Sequence, residues 1–250
     1  MSGSAPADLW SSAEYEPLAQ RFAPVHDELV ARLDPGPGVR WLDVATGTGE
    51  VTRRAAAAGA DVTGLDIAPA MLELARRKLP AVTFDLGDCQ TLPYPDASFD
   101  VVSSAFGVMF APDHQAAAAE LARVCRHRLG LAVWEPDVAL GEIYAQFGLE
   151  VPEGKEPFLW GEPDYLHGLL DGAFELEVER HALMVDGASG EEVWELWANA
   201  SPLFRAQVAS LDRDAGERFR AAYVAYCERF RVDGGVSVPR GYLLVLGSRR

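Results

Sequence analysis

The stretch VRWLDVATGTGEVTRRAAAAGADVTGLDIAPAMLELAR, residues 39–75, sets the reading of the whole chain. An apolar run, VRWLDVA at 39–45, feeds a loop with glycines at 47 and 49. The alanine-rich segment from Glu50 to Ala58 has helical spacing and stops at Gly59. A second apolar run, DVTGLDI at 61–67, carries Asp66, and Pro69 opens another helix to Leu79. Strand, glycine turn, helix and strand in this order form a βαβ unit.

The alternation continues downstream. AVTFDLG (81–87) and FDVVSSAFG (99–107) read as strands, separated by the turn-rich LPYPDAS. Asp113 caps a helix from His114 to Arg126, and RLGLAVWEP (128–136) is a fifth strand. Near-continuous apolar strands alternating with helices predict an α/β fold: a doubly wound, Rossmann-like, mostly parallel sheet with helices on both faces. FELEVERHALMVDG (174–187) reads as an antiparallel strand or a bent pair, helices fall between about 189 and 231, and YLLVLGSRR closes the chain as a short strand. The expectation is one domain over 1–250 with a seven-stranded sheet, its last strand antiparallel. Apolar residues at helical spacing make 1–33 a helical lid, ended by DPGPG at 34–38, and about 138–235 a partly helical cap over a substrate.

Composition narrows the function. Of 250 residues 49% are apolar, ample for a core, and the net charge is −16. That charge repels a nucleic-acid backbone and no basic patch offsets it, so nucleic acid is not expected as a partner. Cys89, Cys125 and Cys227 are odd in number and far apart, which fits neither a disulfide framework nor a zinc site, and no other metal cluster is expected. MSGSAPADLW lacks the basic and apolar regions of a signal peptide, and no apolar run approaches the roughly 18 residues of a membrane helix. A cytoplasmic protein without a membrane partner is expected.

The loop and the acid then specify a ligand. A helix beginning directly after a parallel strand aims its free N–H groups and positive dipole end at the crevice above the sheet. Asp66 ends the next strand, where a carboxylate meets the ribose hydroxyls of an adenosine. Two cofactors compete for this arrangement. A nicotinamide dinucleotide wants a small third residue after G-x-G-x-x, and the frame here reads Gly47-x-Gly49-x-x-Thr52. The compact alternative is S-adenosyl-L-methionine, whose loop cradles an amino acid; Ala45-Thr46-Gly47-Thr48-Gly49 has its G-x-G-x-G form with alanine in the first place.

LDVATGTGEV, VTGLDIAPAMLELAR, GDCQTLPYPDASFDVV and AAELARVCR…LGLAVWEP occur in the order and spacing of a class I S-adenosylmethionine-dependent methyltransferase. The chain resembles the branch containing the ubiquinone and menaquinone biosynthesis C-methyltransferases and many small-molecule enzymes, over about residues 10–137. The resemblance implies that Asp43 and the loop residues Ala45, Thr46 and Gly47 hold the methionine end, with Tyr15 over it. It places Asp66 on the ribose, Ile67 and Met71 beside ribose or adenine, Asp88 and Cys89 on the adenine edge, and Ala105 and Phe106 against the methionine part. It departs from the family at Ala45 and in VCRHRLGL, which lacks the usual Pro-Gly-Gly turn.

The resemblance implies methyl transfer to a small-molecule acceptor at O, N or C. Because a sulfonium methyl is already activated, such an enzyme needs alignment more than a base. His114, Glu135 and Asp137 are the candidate proton acceptors, at the edge where the pocket should open, although the position of His114 beside Asp113 is first that of a solvated first-turn residue. Trp10, Tyr15 and Phe22 in the lid, and Trp194, Trp197 and Phe204 in the cap, are aromatic and can serve either core or pocket. The competing readings are an NAD(P)-dependent oxidoreductase and a protein that binds S-adenosylmethionine without transferring methyl.

Overall fold

The computed structural model describes Trp10, residues 15–149 and residues 156–250; the rest of the expected lid, 1–9 and 11–14, lies outside them. Two short helices, α1 (Glu16–Arg21) and α2 (Ala23–Arg32), precede the sheet and meet at Phe22. The βα alternation follows as β1 (Arg40–Val44), α3 (Glu50–Ala57), β2 (Asp61–Asp66), α4 (Pro69–Lys78), β3 (Thr83–Leu86), β4 (Phe99–Ala105), α5 (His114–Val124) and β5 (Cys125–Trp134). The cap comprises α6 (Val138–Gln146), α7 (Pro163–Leu170), β6 (Phe174–Gly187), α8 (Gly190–Ala200), α9 (Pro202–Ala209), α10 (Arg213–Glu228) and the two-residue β7 (Arg231–Val232). The chain ends on β8 (Gly235–Arg249).

The strand order is β3-β2-β1-β4-β5-β8-β6, with β7 folded back on β8. β1 to β5 pair in parallel, whereas β8 runs antiparallel to both β5 and β6. From β1 the chain winds one way to β2 and β3 and the other way to β4 and β5. The crevice between these halves, at the carboxyl ends of the strands, is where an open α/β sheet receives ligands.

Three local readings change. α5 stops at Val124 and passes straight into β5, because Cys125 is already extended and pairs with Phe99. The missing Pro-Gly-Gly turn is therefore replaced by no turn at all. Residues 174–187 form one unbroken strand rather than a bent pair. β8 is far longer than its apolar tail, because GVSVPR also pairs with β6. Pro239 is tolerated there since β5 reaches β8 only from Tyr242 onward, leaving Pro239 beyond the end of β5.

One buried carboxylate fixes the loop after β1. Asp43 Oδ2 accepts from the hydroxyls of Thr46 (2.7 Å) and Thr52 (2.9 Å), and Oδ1 accepts from Ser103 (2.9 Å). Ser103 Oγ in turn accepts from the indole N–H of Trp41 at 2.8 Å. The Thr46 amide donates to Leu65 O, and the Gly47 amide to Asp66 Oδ2 at 2.8 Å. This network imposes left-handed backbone on Ala45, φ +55°. A hydrogen bond to a charged group contributes about 1.5–3 kcal/mol and Asp43 accepts from three hydroxyls, against about 1–2 kcal/mol for one left-handed alanine, so the network wins. The Ala45 methyl then lies where a Cβ on Gly107 would sit, which makes glycine the fitting residue at 107.

Two predictions follow from this packing. Ala45→Gly should raise stability by about 0.5–1 kcal/mol and Gly107→Ala should lower it by about 1–3 kcal/mol. In the double variant most of the Gly107→Ala loss should vanish, which a urea denaturation cycle measures directly.

The second concerns pH. Burial pushes the Asp43 carboxyl up to about 6, opposed by its hydroxyl partners, so its contribution to stability is full below its ordinary value of 3.8 and lost as pH rises through 6. His26 is buried beneath the same loop, and burial, then the Arg54 charge, lowers it from 6.5 to about 4. Its contribution is full above 6.5 and lost as pH falls through 4. The two slopes oppose each other over one window. His26→Gln removes the second, so the variant's stability relative to wild type should rise by about 3 kcal/mol between pH 7 and pH 4. Urea titrations across that range give the measurement.

Candidate active site

Four strand ends converge on a cleft of about 810 Å³. β1 delivers Ala45 and Gly47, β2 delivers Leu65, Asp66 and Ile67, the segment after β3 delivers Gly87 to Gln90, and β4 delivers Ala105 to Gly107. Each comes from the point where a buried strand gives way to a loop, so side chains and free amides face the same crevice. α3 begins behind left-handed Gly49 (φ +84°) with no side-chain cap, which leaves its first-turn N–H groups without a side-chain acceptor.

Asp66 is buried, with Oδ2 on the Gly47 amide and Oδ1 on the Ala68 amide at 2.9 Å. Burial raises its carboxyl, and these amides pull it back down. Ile67 and Met71 stand beside it on the cleft wall. Tyr15 closes the wall from the lid; burial, then the Asp66 charge, raises its phenol, which stays neutral. Phe106, left-handed at φ +56°, stacks on Trp134 with ring centroids 3.8 Å apart, and its backbone lines the cleft.

At the far end, Asp88 accepts from the Gln90 backbone amide at 2.9 Å and from its side-chain amide at 2.9 and 3.0 Å. Gln90 Oε1 accepts from the Asp113 amide, tying this loop to the start of α5. Sequence reasoning missed Gln90; its signal is the D-x-Q spacing, which lets one side chain close on the preceding carboxylate. Cys89 lines the cleft as a neutral thiol, pushed up to about 12 by burial and then by Asp88, so it is not a nucleophile.

Asp43 and Thr46 do not line this cleft. They face a small cavity behind the loop, which shares Tyr15, Ala45, Gly47 and Ala105 with the cleft. Asp43 is committed to three hydroxyls, so it shapes the loop, and Thr52 is explained as one of its partners. Two buried polar atoms along that cavity, His26 Nδ1 and Thr48 Oγ1, have no partner among the described residues. Orphaned atoms of this kind mark space for a polar ligand group or water.

A second cleft of about 1150 Å³ lies against the first, and Trp10 and Phe110 form walls of both. Its lining is rich in aromatic rings, adding Trp134, Tyr144, Phe158, Trp197, Phe204 and Tyr223 to those two. The three candidate proton acceptors separate here. Asp137 lines the second cleft, capping α6 through the Leu140 amide and accepting from the Tyr226 hydroxyl. Glu135 lines neither cleft and pairs with Arg180 at 2.7 Å. His114 is neither solvated nor in a cleft: it is buried against Trp160, with Nδ1 2.9 Å from the Tyr165 hydroxyl. Trp197 faces the second cleft, whereas Trp194 is buried among Phe204, Phe219 and Tyr223. Among the described residues one trio, Glu28, Glu179 and His181, has metal-ligand proximity, but Arg32 already claims Glu179 there.

The comparisons with known proteins agree with this geometry. The methyltransferase domain family matches residues 42–129. An uncharacterized Mycobacterium tuberculosis protein is 38% identical over 189 residues, 71% of this chain and 69% of that one. The demethylmenaquinone methyltransferase of Thermus thermophilus is 37% identical over 170 residues, covering 58% of this chain and 76% of that enzyme. In structure, the YcgJ protein of Bacillus subtilis aligns with a TM-score of 0.62 at 18% identity, over 90% of this chain and 97% of that one, which shows the shared fold. These matches set aside the dinucleotide oxidoreductase, and the chain belongs to the class I S-adenosylmethionine-dependent methyltransferases.

Proposed function

We propose that the first cleft binds S-adenosylmethionine and that the second receives a small apolar or aromatic acceptor. The observation that carries this is the pair of clefts sharing the Trp10 and Phe110 walls at the carboxyl edge of the sheet. The residues fit the cofactor. Asp66 offers a buried carboxylate to ribose hydroxyls, and Asp88 with the Cys89 amide offers an edge to adenine. His26 Nδ1 and Thr48 Oγ1 are unpaired polar atoms suited to the amino-acid end.

The cofactor supplies a methyl group already activated on a sulfonium, so the chain's task is alignment and exclusion of water. Tyr15, Phe106 and Phe110 provide the dry wall. Asp137, its hydrogen bond to Tyr226 fixing its position, is the acid placed to take a proton when the acceptor has one to lose. The aromatic second cleft is compatible with the kind of acceptor named by the Thermus relative, demethylmenaquinone, without requiring it. A net charge of −16 and the absence of any described helix long and apolar enough to cross a membrane favour a small acceptor over nucleic acid or lipid bilayer. Three free cysteines accord with a reducing, cytoplasmic setting.

Asp66→Ala should weaken S-adenosylmethionine binding by about 1–3 kcal/mol, the loss of a charge-assisted partner. Calorimetry showing wild-type affinity would remove Asp66 from the site. In a thermal shift assay S-adenosylmethionine should raise the melting temperature and NAD(P) should leave it unchanged; stabilisation by the dinucleotide alone would overturn the assignment.

A further inference from the structure

The second cleft contains one cation among its described lining residues, Arg240, and nothing established for the chain employs it. Arg240 lies on β8 just before pairing with β5 begins, opposite Leu183 of β6. Its guanidinium carbon is 5.3 Å from the Trp197 ring centre and 5.9 Å from that of Trp134. No hydrogen bond or ion pair with a described residue engages it. Cation–π contact holds the head group in place while its N–H donors stay unspent. Its charge also reaches inward, opposing the upward push that burial gives the hydroxyls of Tyr144, Tyr223 and Tyr226.

A half-buried cation in an aromatic pocket is poorly solvated and is stabilised by an anion that enters with the ligand. The acids nearby decide which anion. Asp137 and Glu156 line the same cleft, so a dianionic phosphate would meet two carboxylates with only one cation to offset them. An ammonium group would set a second cation beside Arg240 and leave its unspent donors unpaired. A monoanionic carboxylate on an apolar ring system brings one negative charge instead of two, and its two oxygens match the guanidinium fork of Arg240.

We propose that Arg240 is a specificity residue of the acceptor cleft and that it selects acceptors carrying a carboxylate on an aromatic or aliphatic body. This rests on the reading of the second cleft as the acceptor site. The competing role is a purely mechanical one, in which Arg240 staples Trp197 of the cap to Trp134 of the sheet.

The test uses the full chain saturated with S-adenosylhomocysteine and three ligands of one shape: naphthoate, naphthalenemethanol and naphthylmethylamine. Calorimetry should show naphthoate binding at least about tenfold tighter than the alcohol or the amine. Arg240→Gln should abolish that advantage with the alcohol's affinity unchanged, and Arg240→Lys should keep most of it. A mechanical staple would weaken all three ligands together. Equal affinities, preference for the amine, a naphthoate advantage that survives Arg240→Gln, or no binding by any of the three would overturn the proposal. The wild-type comparison needs no variant, so a misfolded Arg240→Gln does not spare it. Failure of S-adenosylhomocysteine to bind in the first titration would instead overturn the cofactor assignment.

Discussion

The carboxylate of Asp43 accepts from three hydroxyls that belong to three elements: Thr46 in the loop, Thr52 in α3 and Ser103 in β4. A buried charge cannot tolerate an empty lone pair, so each element is held at hydrogen-bond distance from one point. The position of the glycine loop, the left-handed turn at Ala45 and the close approach of β4's end all descend from that requirement. Asp66 adds a second clamp through the Gly47 amide, so the binding loop is fastened to β2 as well as to β4.

The rest of the molecule builds a second volume against this first one. The sheet core fills the space between β1–β5 and their helices, while Leu140, Val185, Trp194, Phe204, Phe219, Tyr223 and Val238 form a separate cap core. β6 and β8 serve both, since one end of their ribbon pairs into the sheet and the other carries Val185, Val236 and Val238 into the cap. The acceptor cleft lies at that junction, with Trp134 from the sheet and Trp197 from the cap on its walls.

The half of the fold built from local signals was legible in the sequence. β1, α3, β2 and α4 announced themselves through apolar runs, glycine stops and an opening proline; Asp66 was placed by its offset from the loop, and Ile67 and Met71 by the family resemblance alone. What could not be read was set by distant partners. The loop-holding role of Asp43 was hidden because the Thr46, Thr52 and Ser103 hydroxyls that claim it come from separate stretches. His114 looked solvated because nothing near it in sequence reveals that Trp160 and Tyr165 cover it. Arg240 sat in a strand whose existence was hidden by Pro239, and its two indoles lie more than a hundred and more than forty positions earlier.

β8 occupies an interior slot, between β5 and β6, although it is made after both. During synthesis β5 and β6 therefore leave the ribosome with bare edges, each a template for mispairing until residues 235–249 arrive. Insertion of that strand closes both edges at once, seating Leu243, Leu244 and Val245 in the sheet core and Val236 and Val238 in the cap core. Completing the sheet is thus a nonlocal step, since it joins residues as far apart in sequence as Arg128 and Ser248.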